Sequence, residues 1–370
     1  MRKILFIVLT FRFFDLVFPY WLSHHSQMFN REVYLSIFHW PPDSVITGRS
    51  YYKTFDAQHY LYLAEKWYSK KPIQQNAFFP LFPFLIKVFS IFTRSFFWSG
   101  IILSNIFSLV ALYFLFLYLR ETKREIIPIF ILLLSFPSSF FFTRIYTESL
   151  FFLLLVLFMY AIRKKMKFLV FFVSLLLPLS RPQGVVVGVV AFFMYIFNKE
   201  KRQLFLASLL GFATGGIVYV LVMYLSAGDI FAALHAQKLY PRVNPLEMLM
   251  NPYRWIKENF IRPSYALRYL GPGNFIYERI MFLFLILALI GGYRHLSKEE
   301  FIMLLVLGLF SALTDHFMSF SRFLLPVFPL YIALWSIFKH KRMLYYTTVA
   351  FFTFAHVFLL SLHSLCYFVG

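Results

Sequence analysis

The chain has 370 residues, 60% of them hydrophobic, 22% aromatic and 14% charged, with 52 Phe and a mean hydropathy of +0.70. A soluble globular surface cannot hide that much Phe, Leu and Ile, so a soluble domain is excluded and the chain belongs in a bilayer. Its net charge of +20 would suggest nucleic acid in a soluble protein, but the basic residues gather in short clusters between apolar runs, the pattern of cytoplasmic loops facing anionic membrane lipids, so no nucleic-acid partner is expected.

The first apolar run, Ile4 to Trp21, carries Arg12 and Asp15 and lacks an A-x-A site, so it reads as a retained span and not a cleavable signal. A long loop follows, Leu22 to about Phe97. Within it FDAQHYLYLAEKWY places Leu61, Ala64, Trp67 and Tyr68 on one helical face opposite Gln58, Glu65 and Lys66, which predicts a helix lying in the membrane interface. Ala77 to Phe92 is apolar but short, and holds two prolines within FFPLFPF. Further runs of helix-compatible length occupy Trp98 to Leu119, Ile126 to Phe142, Leu150 to Ile162, Phe168 to Leu179, Val185 to Phe197 and Leu204 to Leu225. After a second long loop, Ser226 to about Asn274 and containing DIFAALHAQKLY, come Phe275 to Gly291, Phe301 to Phe317, Phe323 to Phe338 and Met343 to Phe368. The prediction is an all-α integral membrane fold of about eleven transmembrane helices, with a long extracytoplasmic first loop carrying interfacial or re-entrant helices. No internal repeat or low-complexity linker is visible, so residues 1–370 are read as one integral domain.

Charge decides whether Ala77 to Phe92 crosses. If it does not, the clusters Arg2/Lys3, Arg120/Lys123/Arg124, Arg163/Lys164/Lys165/Lys167, Lys199/Lys201/Arg202, Arg294/Lys298 and Lys339/Lys341/Arg342 fall on the N-terminal side. That side then holds 17 basic residues, against Arg144, Arg181 and Arg322 in the short loops opposite. If it did, most clusters would lie outside, against the positive-inside rule. The segment is therefore read as re-entrant or interfacial, the N-terminus as cytoplasmic, and both long loops as extracytoplasmic, where loops of that length carry function.

With this topology the unusual polar residues share the outer side: Asp56, His59, the FFPLFP run, Tyr146 and Glu148 in RIYTES, Arg181 and Gln183 in SRPQG, Asp229, His235 and Gln237 in GDIFAALHAQ, and Arg322 in SFSRFLLPVFP. The set FDAQHYLYLAEKWY, AFFPLFPFLIK, FPSSFFFTRIYTESLFFLL, SRPQG, GDIFAALHAQKLYPR and SFSRFLLPVFPLY, in order from about Phe55 to Tyr331, resembles the second mannosyltransferase of GPI-anchor assembly and its prokaryotic relatives, the PIG-V type of the GT-C membrane glycosyltransferases. Phe55 stands where that family usually carries Trp. The resemblance implies an inverting transfer of mannose from a polyprenyl (dolichyl-type) phosphate mannose to an extracytoplasmic lipid-linked or glycan acceptor. It also implies a prokaryotic plasma membrane, or the endoplasmic reticulum membrane in a eukaryote.

Such a reaction needs a carboxylate to take the proton of the acceptor hydroxyl, and cations for the charge gathering on the departing phosphate. The resemblance makes Asp56 the base; the residue alone would serve equally as the N-cap of a helix beginning near Ala57. His59, one turn on, either orients the acceptor or sits in the interface. Arg181 and Arg322 are candidates for the donor phosphate, since a guanidinium fork binds phosphate bidentately, and alternatively snorkel to lipid phosphates. Glu148 stabilises a helix N-terminus or binds a sugar or acceptor, and Tyr146 and Gln183 bond sugar hydroxyls or anchor at the interface. Asp229 caps a helix starting at Ile230 or, with Gln237, recognises the acceptor. FFPLFP forms either an aromatic groove for the isoprenoid or a bend in a broken helix.

No metal site or cofactor is expected. Cys366 is the single cysteine, His356 and His363 lie seven residues apart, and no D-x-D, Walker or GxGxxG motif occurs, which favours a lipid-phosphate donor over a nucleotide sugar. The alternative, a transporter or lipid-glycan flippase, predicts repeats and paired mid-membrane charges; the sequence offers Arg12 and Asp15, with Asp315 as a further candidate. A non-catalytic scaffold predicts no polar clustering on one face. The charge bias predicts that, in a Cys366→Ser background, cysteines at Ser69, Thr147 and Gln183 label from outside and those at Thr122 and Gln203 from inside; inside labelling at Thr147 overturns this topology.

Overall fold

In a computed structural model, the residues described are 2–25, 27–42, 45–71, 73–239, 245–261 and 274–369. The fold is 80% helical with no strand among the described residues, compatible with an all-α membrane protein. Among the described residues five helices are long and apolar enough to cross a bilayer by length and composition: Arg2–His25, Phe96–Glu121, Lys199–Ala227, Ile276–His295 and Arg342–Ser364. Leu81–Thr93, Ile126–Ser135, Lys167–Ser180, Pro182–Phe197 and Pro329–Phe338 are apolar but shorter, below the ~20 residues that a ~30 Å hydrocarbon core asks of one straight helix.

Three of the runs expected as single helices are broken. Ile126 to Phe142 becomes the helix Ile126–Ser135 and a 3-10 turn Ser139–Thr143, because Pro137 has no N–H to donate and pushes Phe136 out of the helical region, to ψ 134°. Phe301 to Phe317 stops at Ser311, leaving Asp315 in the separate turn Asp315–Phe317. Phe323 to Phe338 divides around Pro326 into Phe320–Leu324 and Pro329–Phe338. Period and hydropathy register apolar length; at Pro137 and Pro326 proline chemistry decides that this length is not one helix.

The chain forms two compact units, each assembled from separated stretches: Met1–Ala57, Glu125–Arg144 and Val243–Gly370 in the first, Gln58–Arg124 and Ile145–Arg242 in the second. The division falls inside the helix Asp56–Lys66.

In the first unit Arg2–His25 packs against Arg342–Ser364 and Ile126–Ser135. Asp15 Oδ1 lies 2.7 Å from His356 Nε2, and His356 Nδ1 lies 2.9 Å from Ser139 Oγ, all three residues buried. Polar groups in an apolar interior must find such partners, and this chain fixes the first helix to the last.

In the second unit Arg202–Ala227 lies along Lys167–Ser180. Gly211 and Gly215 make the approach: a Cβ on Gly211 would stand 2.4 Å from the carbonyl oxygen of Phe171, and one on Gly215 2.2 Å from that of Leu175. Small residues four apart on one helical face are a standard way for membrane helices to pack backbone to backbone, and Ser174 and Ser208 bond across the same seam at 2.8 Å. Leu81–Thr93 ends at Arg94, whose left-handed φ of 53° turns the chain into Phe96–Glu121, and Thr93 Oγ1 and Ser99 Oγ join the two at 2.6 Å. At 13 residues this helix is about 20 Å long, shorter than a ~30 Å hydrocarbon core.

The helix Asp56–Lys66 departs from the interfacial reading. Gln58, placed on its polar face, is fully buried, as are Leu63 and Ala64; Leu63 packs with Met223, Ala227 and Ala232 in the second unit. Its exposed charged groups lie at its ends, Asp56 at the start and Lys66, paired with Glu65 at 3.0 Å, at the finish. Protein covers most of this helix. Thr147 and Gln183 are also buried, so cysteine labelling of the side expected to be outer is better carried by the exposed Lys70 and Lys238.

Because the Gly215 Cβ direction meets backbone, Gly215→Val should lower unfolding stability in detergent by about 1–3 kcal/mol. Gly216→Val, where nothing lies within 4 Å, should be near neutral; equal melting of the two variants would refute the close-packed seam.

Candidate functional site

In the first unit Asp56 begins its helix, and its Oδ2 sits 2.8 Å from Arg322 Nη1. The sequence supplies the geometry at both ends. Phe55, just before Asp56, has φ 50°, a left-handed conformation that costs a bulky side chain on the order of 1–3 kcal/mol and tends to persist where surrounding structure enforces it. Arg322 lies on the short helix Phe320–Leu324, entered from Ser319 at φ 62°. That helix receives no cap from its own Ser319; instead Glu278, from the helix Asn274–Gly292, accepts the Ser321 N–H at 2.7 Å and the Ser321 hydroxyl at 3.0 Å. An acceptor at the helix start takes up an otherwise unbonded N–H.

Aromatic rings hold the Arg322 guanidinium in place, with the Phe141 ring centroid at 5.0 Å and that of Phe323 at 5.8 Å. The Arg322 side chain is 6% exposed and that of Asp56 28%, so the carboxylate is the accessible member of the pair. Beside them, Thr54 Oγ1 bonds the His363 ring at 3.2 Å, and His363 lies within electrostatic reach of both Arg322 and Arg144. Arg144 is fully buried, 5.1 Å over the Tyr52 ring.

In the second unit Arg181, the extended residue between Lys167–Ser180 and Pro182–Phe197, reaches Glu148 Oε1 at 3.2 Å and lies over the Phe151 ring. Both members of this pair are buried, Glu148 opening its helix as expected of an acid at an N-terminus. Tyr146 and Gln183 are buried too, and Tyr60 O–H lies 3.3 Å from Thr147. His59 is buried and stacked on Phe78 at 4.7 Å, not lying in an open interface.

Asp229 is partly exposed and Gln237 exposed. Asp229 Oδ1 accepts the Phe231 N–H at 2.9 Å and Oδ2 meets His235 Nδ1 at 2.7 Å. The Phe231 N–H, and then His235, hold its carboxyl below the usual carboxylate range. The helix there is Ala232–Gln237, two residues later than the expected start at Ile230.

The structure therefore brings Asp56 to Arg322 and Glu148 to Arg181. Thr54, Arg144, Glu278 and His363 were missed as site residues. Glu278 carried a signal, an acid inside an apolar run; Arg144 opens RIYTES; Thr54 and His363 are 309 positions apart and carried none.

Glu148→Leu should cost about 3–5 kcal/mol of stability, because it removes the acid from a buried guanidinium, while the double variant Glu148→Leu/Arg181→Met should recover most of that loss. Unfolding of the two variants and wild type in one detergent checks it; additive losses would show that the pair is not coupled.

No family model matches the chain, and no curated protein matches it.

Proposed function

We propose that this protein is an integral-membrane GT-C-like glycosyltransferase that moves mannose, with inversion, from a polyprenyl phosphate mannose to an extracytoplasmic lipid-linked or glycan acceptor, by way of about eleven crossings with the N-terminus in the cytoplasm. The observation carrying this reading is the Asp56–Arg322 pair: a partly exposed carboxylate 2.8 Å from a buried guanidinium, beside a strained residue. A base and an anion holder side by side are the two groups that glycosyl transfer from a lipid phosphate requires. The six motifs in the order of the PIG-V type add the sugar and the donor class.

In the reaction, the acceptor oxygen attacks the anomeric carbon as its proton passes to Asp56. The bond from that carbon to the phosphate oxygen breaks, and its electron pair leaves on the phosphate. Arg322 offsets the charge gathering there, with two parallel N–H donors suited to phosphate oxygens. Arg181, engaged by Glu148 in the other unit, is given no step.

A transporter or lipid-glycan flippase remains the second reading, favoured by the buried Asp15–His356 pair on two helices long enough to span. Intramembrane acid–imidazole pairs are used as proton relays in pumps. The discriminating experiment incubates purified protein with labelled polyprenyl phosphate mannose and membrane extract. Transfer should appear in wild type, fall by roughly two to four orders of magnitude in Asp56→Asn, whose amide cannot take a proton, and fall strongly in Arg322→Lys, whose ammonium lacks the planar fork. Near-wild-type transfer by Asp56→Asn removes Asp56 as base; no transfer at all, with loss of lipid-glycan translocation in Asp15→Asn, favours the flippase.

A further inference from the structure

A general base locked to a guanidinium is a poor base, because the neighbouring positive charge favours its ionised form. The pair as it stands thus combines the parts of a transferase in an arrangement unable to react. Resting on the glycosyltransferase reading, we infer that Asp56 is an internal stand-in for the donor phosphate: it fills Arg322 in the empty protein, and an arriving phosphate displaces it, so that the base is released only when the leaving group is in place.

Three features of the first unit carry this. The two rings beside Arg322, Phe141 and Phe323, leave the edge of the guanidinium, where Asp56 sits, as the place for an anion. Asp56 is the exposed partner and Arg322 the buried one, so the carboxylate can rotate away while the arginine stays anchored. Arg144 and Arg322 both act electrostatically on the His363 ring, a positive field that favours an anion beside Arg322. A sugar-phosphate diester carries one negative charge and replaces the carboxylate charge for charge. As the sugar leaves, the phosphate gains a second charge, which draws it more strongly to the Arg322 guanidinium. Asp56, then carrying the acceptor's proton, does not compete for Arg322; once that proton passes to water the carboxylate returns and expels the product.

The ligand chemistry is a phosphate group, borne on a lipid or free in solution. Equilibrium binding of undecaprenyl phosphate in detergent micelles, and separately of inorganic phosphate, should be measured on wild type, Asp56→Asn and Arg322→Met, together with carbodiimide modification of Asp56 read by mass spectrometry. Undecaprenyl phosphate should bind Asp56→Asn about tenfold more tightly than wild type, a gain of about 1.4 kcal/mol, and Arg322→Met at least tenfold more weakly. In wild type it should raise modification of Asp56 several-fold, since a displaced carboxylate is accessible; simple repulsion between two anions would not do so. Inorganic phosphate reproducing both effects makes the phosphate group alone the occupant, and its inability to do so assigns the site to lipid phosphate. Unchanged or weaker binding by Asp56→Asn, or unchanged modification, overturns the stand-in. If transfer is nonetheless lost in that variant, the base reading survives; tighter binding with normal transfer keeps the stand-in and discards the base.

Discussion

A guanidinium withdrawn from water loses several kcal/mol of hydration unless acids, acceptors or rings meet it, and both units of this chain are built around that constraint. Arg322 and Arg181 are each met by one carboxylate and an aromatic face. The pairs differ in which member water can reach. Glu148 is as buried as its arginine, so separating them leaves two charges in a poor solvent, and the contact behaves as a fixed tie. Asp56 keeps 28% of its side chain exposed, so it can leave Arg322 for water at far lower cost.

The same solvent poverty explains the polar bonds elsewhere. Glu278 turns both oxygens onto Ser321, Ser138 donates to the Ser321 hydroxyl at 2.9 Å, and the short helix carrying Arg322 is thereby held at its start. A five-residue helix has little stability of its own; its orientation, and with it the aim of Arg322, is supplied by neighbours. Phe141 contributes twice, lying under Arg322 and edge-on to His363 at 5.1 Å. In a chain this rich in Phe, such rings accept cations without introducing another charge that would itself need a partner.

Much of the helical content was legible in sequence because hydropathy and period are local properties. Phe96–Glu121, Arg202–Ala227 and Arg342–Ser364 lie within a few residues of their expected positions. The breaks at Pro137 and Pro326 were hidden because apolar composition continues through them. The burial of Gln58 was hidden for another reason: amphipathic spacing tells which faces differ, and only the tertiary fold tells what covers each. Asp56 and Arg322 were legible as separate candidates, through their motifs. Their pairing was not, since 266 residues separate them and nothing local records a contact across that distance.

The exposure of Asp56 and of Asp15, both in the first unit, bears on what each can do. Asp56 keeps a partly exposed side chain while its arginine is buried, so its partner can change without moving a helix. Asp15 and His356 are both buried, with side chains 3% and 1% exposed, and join the helices Arg2–His25 and Arg342–Ser364. For that pair to pass a proton or a charge to either side of a membrane, those helices would have to part, breaking the His356–Ser139 bond and exposing the aromatic contact of Phe11 with the same imidazole. A polar contact that opens only by unpacking its surroundings behaves as a clamp. One with an accessible member can act as a site, which is why the proposed chemistry rests on Asp56 and not on Asp15.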